Sequence, residues 1–267
     1  MQEKIKKMWL YFSVWEKCLW SGSVILIVLS YALFDNGNPL MLMASLIGVT
    51  SLIFDAKGNP FGLVLMVIFS LMYGYISLTF SYYGEMLTYV GMTMPMSVFA
   101  LVAWIRNPFG GNHAEVEIRR INGRDLTVMA AVTLLVTIAF YFILGVFHTA
   151  NLIPSTVSVT TSFIAVWLTY KRSPYFALAY AANDAVLIVL WLLAAASDAS
   201  YFAVVTCFAV FFVNDSYSFI NWKKMQKRQN FVKMQENNEK TDKYFIFSKN
   251  PLKKKPLYSI IHSIQIF

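Results

Sequence analysis

The sequence predicts an all-α, polytopic membrane protein with eight transmembrane helices, and three observations carry that prediction. Hydrophobic residues fill 58% of the 267 positions and charged residues only 13%, against about 25% charged in ordinary soluble domains. Mean hydropathy is +0.55. The apolar residues come in runs of about 20, separated by short polar or Pro/Gly breaks, and a helix of that length crosses a hydrocarbon core of ~30 Å.

In chain order the predicted spans are Leu19–Phe34, Leu40–Phe54, Pro60–Tyr83, Glu85–Ile105, Leu126–Val146, Leu152–Tyr170, Pro174–Ser197 and Ser200–Trp222. The basic start KIKKMW is followed by no small-residue cleavage site before the next span, so the first apolar segment is expected to stay. With eight crossings all 22 Lys and Arg fall on one side, and the opposite loops (DNGNP, SYYGE, GVFHTANLIP, SDAS) carry none. The positive-inside rule then puts both termini in the cytoplasm. The net charge of +8 follows from this distribution and from the tail, which argues against nucleic-acid binding.

Two halves of the chain repeat. Lys57-Gly58-Asn59-Pro60 opens a long span, and Lys171-Arg172-Ser173-Pro174 does so 114 positions later. The third span of each set closes on an aromatic and a base, Trp104-Ile105-Arg106 and Trp222-Lys223-Lys224. Three crossings plus one linker helix restore the starting orientation, so the repeats are parallel, related by an axis along the membrane normal. The expected divisions are residues 1–39 (basic segment and first helix), 40–105 (first repeat), 106–150 (connector and linker helix), 151–222 (second repeat) and 223–267 (a basic tail, read as disordered or as a frayed helical extension). The connector 106–125 reads as solvated.

Enzymatic signatures are missing from the sequence. It contains no Gly-rich phosphate loop and no Ser/His/Asp or Cys/His set, and His113, His148 and His262 are scattered. Cys18 and Cys207 lie far apart, so neither a disulfide framework nor a metal site is expected, and no cofactor is implied. What chemistry there is lies in the spans. Only two carboxylates fall in the interior of a span, Asp184 near the midplane and Asp215 nearer the basic end, each preceded by an asparagine (Asn183, Asn214). A midplane charge costs ~2.5–3.5 kcal/mol on insertion scales, which marks a solute pathway. Helical spacing places Tyr180, Asp184, Leu187 and Trp191 on one stripe, and Ser70, Tyr73 and Ser77 on one face of the first repeat. Tyr217 adjoins the stripe of Asn214, Ser218 and Asn221, and Trp167 lies below the hydroxyl-rich run Thr156, Ser158, Thr160, Thr161 and Ser162. Most of those hydroxyls are expected to bond back to their own helix. Pro95 at the centre of its span offers a hinge.

The segments AANDAVLIVLW, VNDSYSFINWKKMQKRQ and LVAWIRNPFGGN, together with the repeat plan, resemble the nicotinamide riboside transporter family, the PnuC type of bacterial vitamin importers, over about Ala44 to Gln229. The resemblance implies a fold similar to that of the SWEET sugar transporters, a bacterial inner-membrane location, and facilitated diffusion with cytoplasmic phosphorylation as the trap. It also implies that Asn183, Asp184, Trp191, Asn214 and Tyr217 line the solute site. Residue chemistry adds Tyr73, Trp167 and Asp215: a planar ring would stack on Trp191 and Tyr73, and the carboxylates would meet ribose hydroxyls or the cationic pyridinium. Beyond the solute, the expected partners are membrane lipid and, by analogy with related three-helix units, two further copies in a homotrimer. Two other readings stay open, a proton-coupled importer of a related vitamin such as thiamine or riboflavin, and a non-transporting membrane scaffold.

Overall fold

The structure, a computed structural model, describes residues 10–34, 39–79, 82–149 and 151–249, with side chains through residue 238. The expectations for the first nine residues, for the loop at 35–38 and for the last eighteen residues lie outside that range. Among the described residues are eight helices long and apolar enough to cross a membrane. They are α1 (Val14–Phe34), α2 (Pro39–Ala56), α3 (Pro60–Thr79), α4 (Tyr83–Ile105), α5 (Gly123–Val146), α6 (Leu152–Tyr170), α7 (Tyr175–Ala195) and α8 (Phe202–Lys249). The chain is thus all-α in its spans: two parallel three-helix repeats, α2–α4 and α6–α8, joined by the linker α5 and preceded by α1.

Local chemistry explains where these helices start. Ser13 and Glu16 form a reciprocal capping box: the Ser13 Oγ accepts from the Glu16 N–H at 3.3 Å, and the Ser13 N–H donates to Glu16 Oε2 at 2.6 Å. That box moves the start of α1 from the expected Leu19 back to Val14. Proline opens both α2 and α3, where its missing N–H costs nothing, and the Asn122 side chain caps α5 through the Asp125 N–H at 2.8 Å. In α4 the turn Tyr89–Thr93 is widened to a π-helix, with the Met94 N–H reaching back to Tyr89 O, immediately before Pro95. The proline cannot complete the ladder, and a wide turn absorbs the mismatch.

The repeat is visible in the backbone. In the first repeat Gly58 N donates to Asp55 O and Asn59 N to Phe54 O; 114 positions on, Arg172 N donates to Thr169 O and Ser173 N to Leu168 O. Gly58 and Arg172 both adopt the left-handed region, φ 66° and 58°. The repeats then exchange tryptophans. Trp104 Nε1 donates to Thr169 O at 2.9 Å, and Trp222 Nε1 donates to Asp55 O at 2.7 Å, with the two indoles 5.3 Å apart. Phe176 packs against both rings, and the cluster closes the end of the bundle that bears the basic loops.

The connector is not merely solvated. Pro108–Phe109 (β1) and Asn112–Val116 (β2) pair as a short antiparallel hairpin. From there Val116 N donates to Gly58 O at 2.9 Å and Arg119 N to Arg172 O at 3.1 Å, so one strap grips the same left-handed residue of each repeat loop. Val116 is fully buried and Ile118 nearly so. The expectation failed because the charged residues Glu115, Glu117, Arg119 and Arg120 hid two inward-facing apolar side chains. Two compact units divide the chain, residues 1–226 and 227–267. In the second the helix continues through Lys249 along a Lys-, Gln- and Asn-rich sequence.

Candidate functional site

In the interior, side chains from both repeats meet around a small cavity. It is lined by Leu52 of α2, Met66 and Phe69 of α3, Tyr89 and Thr93 of α4, Ser162 of α6, Tyr180, Asn183 and Asp184 of α7, and Phe211 and Asp215 of α8. Its polar wall is built by α7, where consecutive residues Asn183 and Asp184 are 3% and 4% exposed, and by α8, where Asp215 is 2% exposed. The Asp184 and Asp215 carboxyls face each other closely enough to interact directly. Asp184 Oδ2 is buried without a hydrogen-bond partner. Asn183 Oδ1 accepts from three α6 hydroxyls, Ser158 at 3.3 Å, Thr161 at 2.9 Å and Ser162 at 3.0 Å. None of the lining residues is basic, and four of them are aromatic. The space measures about 20 Å³, on the order of one water. The cavity is therefore closed around this point, with no room for anything much larger than a water.

The family described as nicotinamide mononucleotide transporter matches residues 38–224, both repeats and the linker between them. The chain belongs to this family. It is therefore a multi-pass membrane transporter and not an enzyme. A relative from Neisseria mucosa, the nicotinamide riboside transporter PnuC, is 25% identical over 202 residues, covering 73% of this chain and 76% of the relative. The crystal structure of the vitamin B3 transporter PnuC matches at TM-score 0.69 and 20% identity, covering 82% of this chain and 94% of that one, which shows a shared fold.

Within this family fold the sequence-predicted residues fall into three groups. Asn183, Asp184 and Asp215 line the cavity. Tyr73 and Trp191 sit beyond it, toward the end opposite the basic loops. Tyr73 packs on Phe69 (5.5 Å), Tyr89 (4.5 Å) and Phe208 (5.7 Å), and Trp191 on Tyr82 (4.8 Å) and Tyr201 (5.5 Å). Both side chains are buried in the hydrophobic core, where the Trp191 indole and the Tyr73 hydroxyl lie close enough to interact. Burial pushes the nearby Tyr82 hydroxyl up to about 12. The last three residues are not brought to the cavity. Asn214 Nδ2 donates to Ser23 Oγ of α1 at 2.9 Å, Tyr217 OH donates to Glu16 of α1 at 3.2 Å, and Trp167 packs on Phe163 and under Lys171. α1 packs over the face of α8 that carries Asn214 and Tyr217, and α5 over the face of α6 that carries Trp167.

Sequence reasoning also missed residues. Glu16, Asp55 and Glu85 are all within 5% of full burial, whereas only Asp184 and Asp215 were expected in the interior of a span. Each stands within three residues of a helix end, where span boundaries drawn from hydropathy are least reliable. For Asp55 a signal existed, because the repeat offset aligns it with Thr169, whose carbonyl receives the other tryptophan. Tyr89 and Thr93 were passed over because a π-turn rotates them out of the register that a regular helix predicts.

Proposed function

We propose that this transporter imports nicotinamide riboside across a bacterial inner membrane by facilitated diffusion, with both termini cytoplasmic and intracellular phosphorylation as the trap. The observation that carries the reading is the charge of the cavity: two carboxyls, no basic residue, and aromatic faces. Nicotinamide riboside is a flat pyridinium cation with an amide and ribose hydroxyls, and such a site supplies countercharge, stacking surface and hydrogen bonds. The family description and the relative's name differ by a phosphate, and the same charge argument favours the riboside. A phosphate would enter this buried space with no cation to pair it, a desolvation cost of several kcal/mol that the riboside avoids. That difference supports the trap, since phosphorylation turns an acceptable solute into one the cavity disfavours.

The basic loops at one end support the orientation, by the positive-inside rule. The exposed apolar faces of α1 and α5 are assigned to lipid. A homotrimer is carried by analogy alone and is tested by the mass of the native particle. Calorimetry on the purified protein tests the solute, with nicotinamide riboside, its mononucleotide, thiamine and riboflavin as ligands and Asp184→Asn as the control. Heat from the riboside, weakened in the variant and at least tenfold weaker for the mononucleotide, supports the reading. Equal binding of the mononucleotide refutes it, and silence for the riboside moves the solute to another compound.

A second reading is favoured by one feature, the facing pair Asp184 and Asp215, which is what a proton-coupled importer needs. In vesicles lacking any kinase, a protonophore that abolishes riboside accumulation would establish coupling. Equilibration without accumulation keeps facilitated diffusion.

A further inference from the structure

Three hydroxyls of α6 behave as hydroxyls in apolar helices do. Thr156, Thr160 and Thr169 donate to carbonyls four residues back, at Leu152, Thr156 and Ala165. Ser158, Thr161 and Ser162 do not follow this habit alone. They occupy one helical face, at i, i+3 and i+4, and converge on a single atom, Asn183 Oδ1. Thr161 shares its one proton with the carbonyls of Val157 and Ser158, while Ser158 and Ser162, 1% and 3% exposed, commit theirs to Asn183.

A carboxamide oxygen has two lone pairs. Two committed donors occupy both, so the acceptor half of Asn183 is used up against α6. The remaining polar group of the side chain is its NH2, a pure donor, and Asn183 lines the cavity. Its neighbours there, Asp184 and Asp215, are acceptors when ionised. The cavity therefore offers a donor and an acceptor at fixed, different places.

We propose that Ser158, Thr161 and Ser162 are positioning residues that lock the Asn183 amide with its NH2 toward the solute, so that the transporter selects pyridine nucleosides bearing a carbonyl acceptor on the ring. The proposal rests on the cavity being the solute site, as argued above. A solute lacking the carbonyl leaves the NH2 unpaired in a dry site, and sites of this kind reject such analogues by on the order of 100-fold or more. Without the Ser158 and Ser162 hydroxyls the amide is held less firmly, and the discrimination falls along with part of the affinity.

The test measures binding of nicotinamide riboside and of pyridine riboside, which lacks the carboxamide, to the purified full chain. The variants are Ser158→Ala/Ser162→Ala, the hydroxyl-restoring Ser158→Thr/Ser162→Thr, and Asn183→Asp. Asn183→Asp keeps an oxygen for the α6 hydroxyls but replaces the donor with a second acceptor. The wild type should prefer the nicotinamide compound by on the order of 100-fold. The double alanine should lose about tenfold in affinity for it with little change for pyridine riboside, the threonine pair should restore the preference, and Asn183→Asp should abolish it. Wild-type selectivity in the double alanine, or an equal loss of both ligands, overturns the proposal. Should the double alanine fail to fold, Asn183→Asp decides by itself: retained preference for the carboxamide refutes the donor role. Failure of the wild type to bind either compound sinks the solute assignment itself, and this proposal with it.

Discussion

Replacing Trp222 by Phe is the most informative single change at the closed end of the bundle. It keeps an aromatic ring where Trp104 and Phe176 pack and removes the Nε1–H that donates to Asp55 O at 2.7 Å, together with the rest of the second indole ring. The Asp55 carbonyl keeps the Gly58 N–H at 2.9 Å, so no buried group is stranded and the larger penalty for an orphaned acceptor does not apply. The missing ring volume leaves a cavity that lowers overall stability, and the interhelical hydrogen bond lost with it is worth about 0.6 kcal/mol on average in membrane proteins. If that bond is made only in the closed state, the closed-to-open ratio falls about threefold. Trp104→Phe is its counterpart, since Thr169 O likewise keeps the Arg172 N–H, and both together should give about eightfold. The assay is the labelling rate of a cysteine at Ser97, a buried α4 position, by a membrane-impermeant maleimide from the basic face, in a background with Cys18 and Cys207 replaced. A faster rate in each single variant and a multiplied rate in the double is expected. Unchanged labelling with a lowered melting temperature would refute the gate and leave the indoles as ordinary staples.

Three other changes test the packing, each read by thermal melting in one detergent. Arg172→Gly relieves a left-handed φ of 58° that the first repeat gives to Gly58, and removes a guanidinium whose charge is disfavoured by burial; the net gain, after the entropy of glycine, should be up to about 1 kcal/mol, or ~2–4 °C. Gly62→Ala brings a Cβ within 2.8 Å of the Asp55 backbone nitrogen and into its carboxyl, so α2 and α3 must move apart, at a cost of about 1–3 kcal/mol. Lys57→Met leaves Glu16, which is 3% exposed, without its cation at 3.2 Å. Ser13 and Tyr217 still donate to that carboxylate, so the loss should be about 1–3 kcal/mol rather than that of a bare buried charge, and Glu16→Gln should cost less.

Composition and residue order alone carry the class, the number of crossings, the parallel repeat and the polar pair on α7. These follow from quantities that add along the chain: apolar length against bilayer thickness, the sidedness of Lys and Arg, and recurrence of the Lys-x-x-Pro turn and the closing tryptophan. Asn183, Asp184 and Asp215, which line the cavity, stand out in the sequence as well, because a polar group deep in a span costs enough to mark itself wherever its neighbours are. Which faces meet was decided only by the tertiary structure. Asn214 and Tyr217 had the right helical spacing for the cavity, yet α1 packs on that side of α8 and takes their hydrogen bonds. Trp167 lies on the α6 surface that packs with α5. Val116 looked like part of a charged loop and is instead buried beneath the strap that joins Gly58 to Arg172. The reason is the same in each case. In a membrane bundle the lipid is as apolar as the core, so hydropathy tells a helix that it spans but not which of its faces turns inward. Rotation is fixed by a few specific partners, here the tryptophan-to-carbonyl bonds between repeats and the three α6 hydroxyls on Asn183, and those partners are brought together only by the fold.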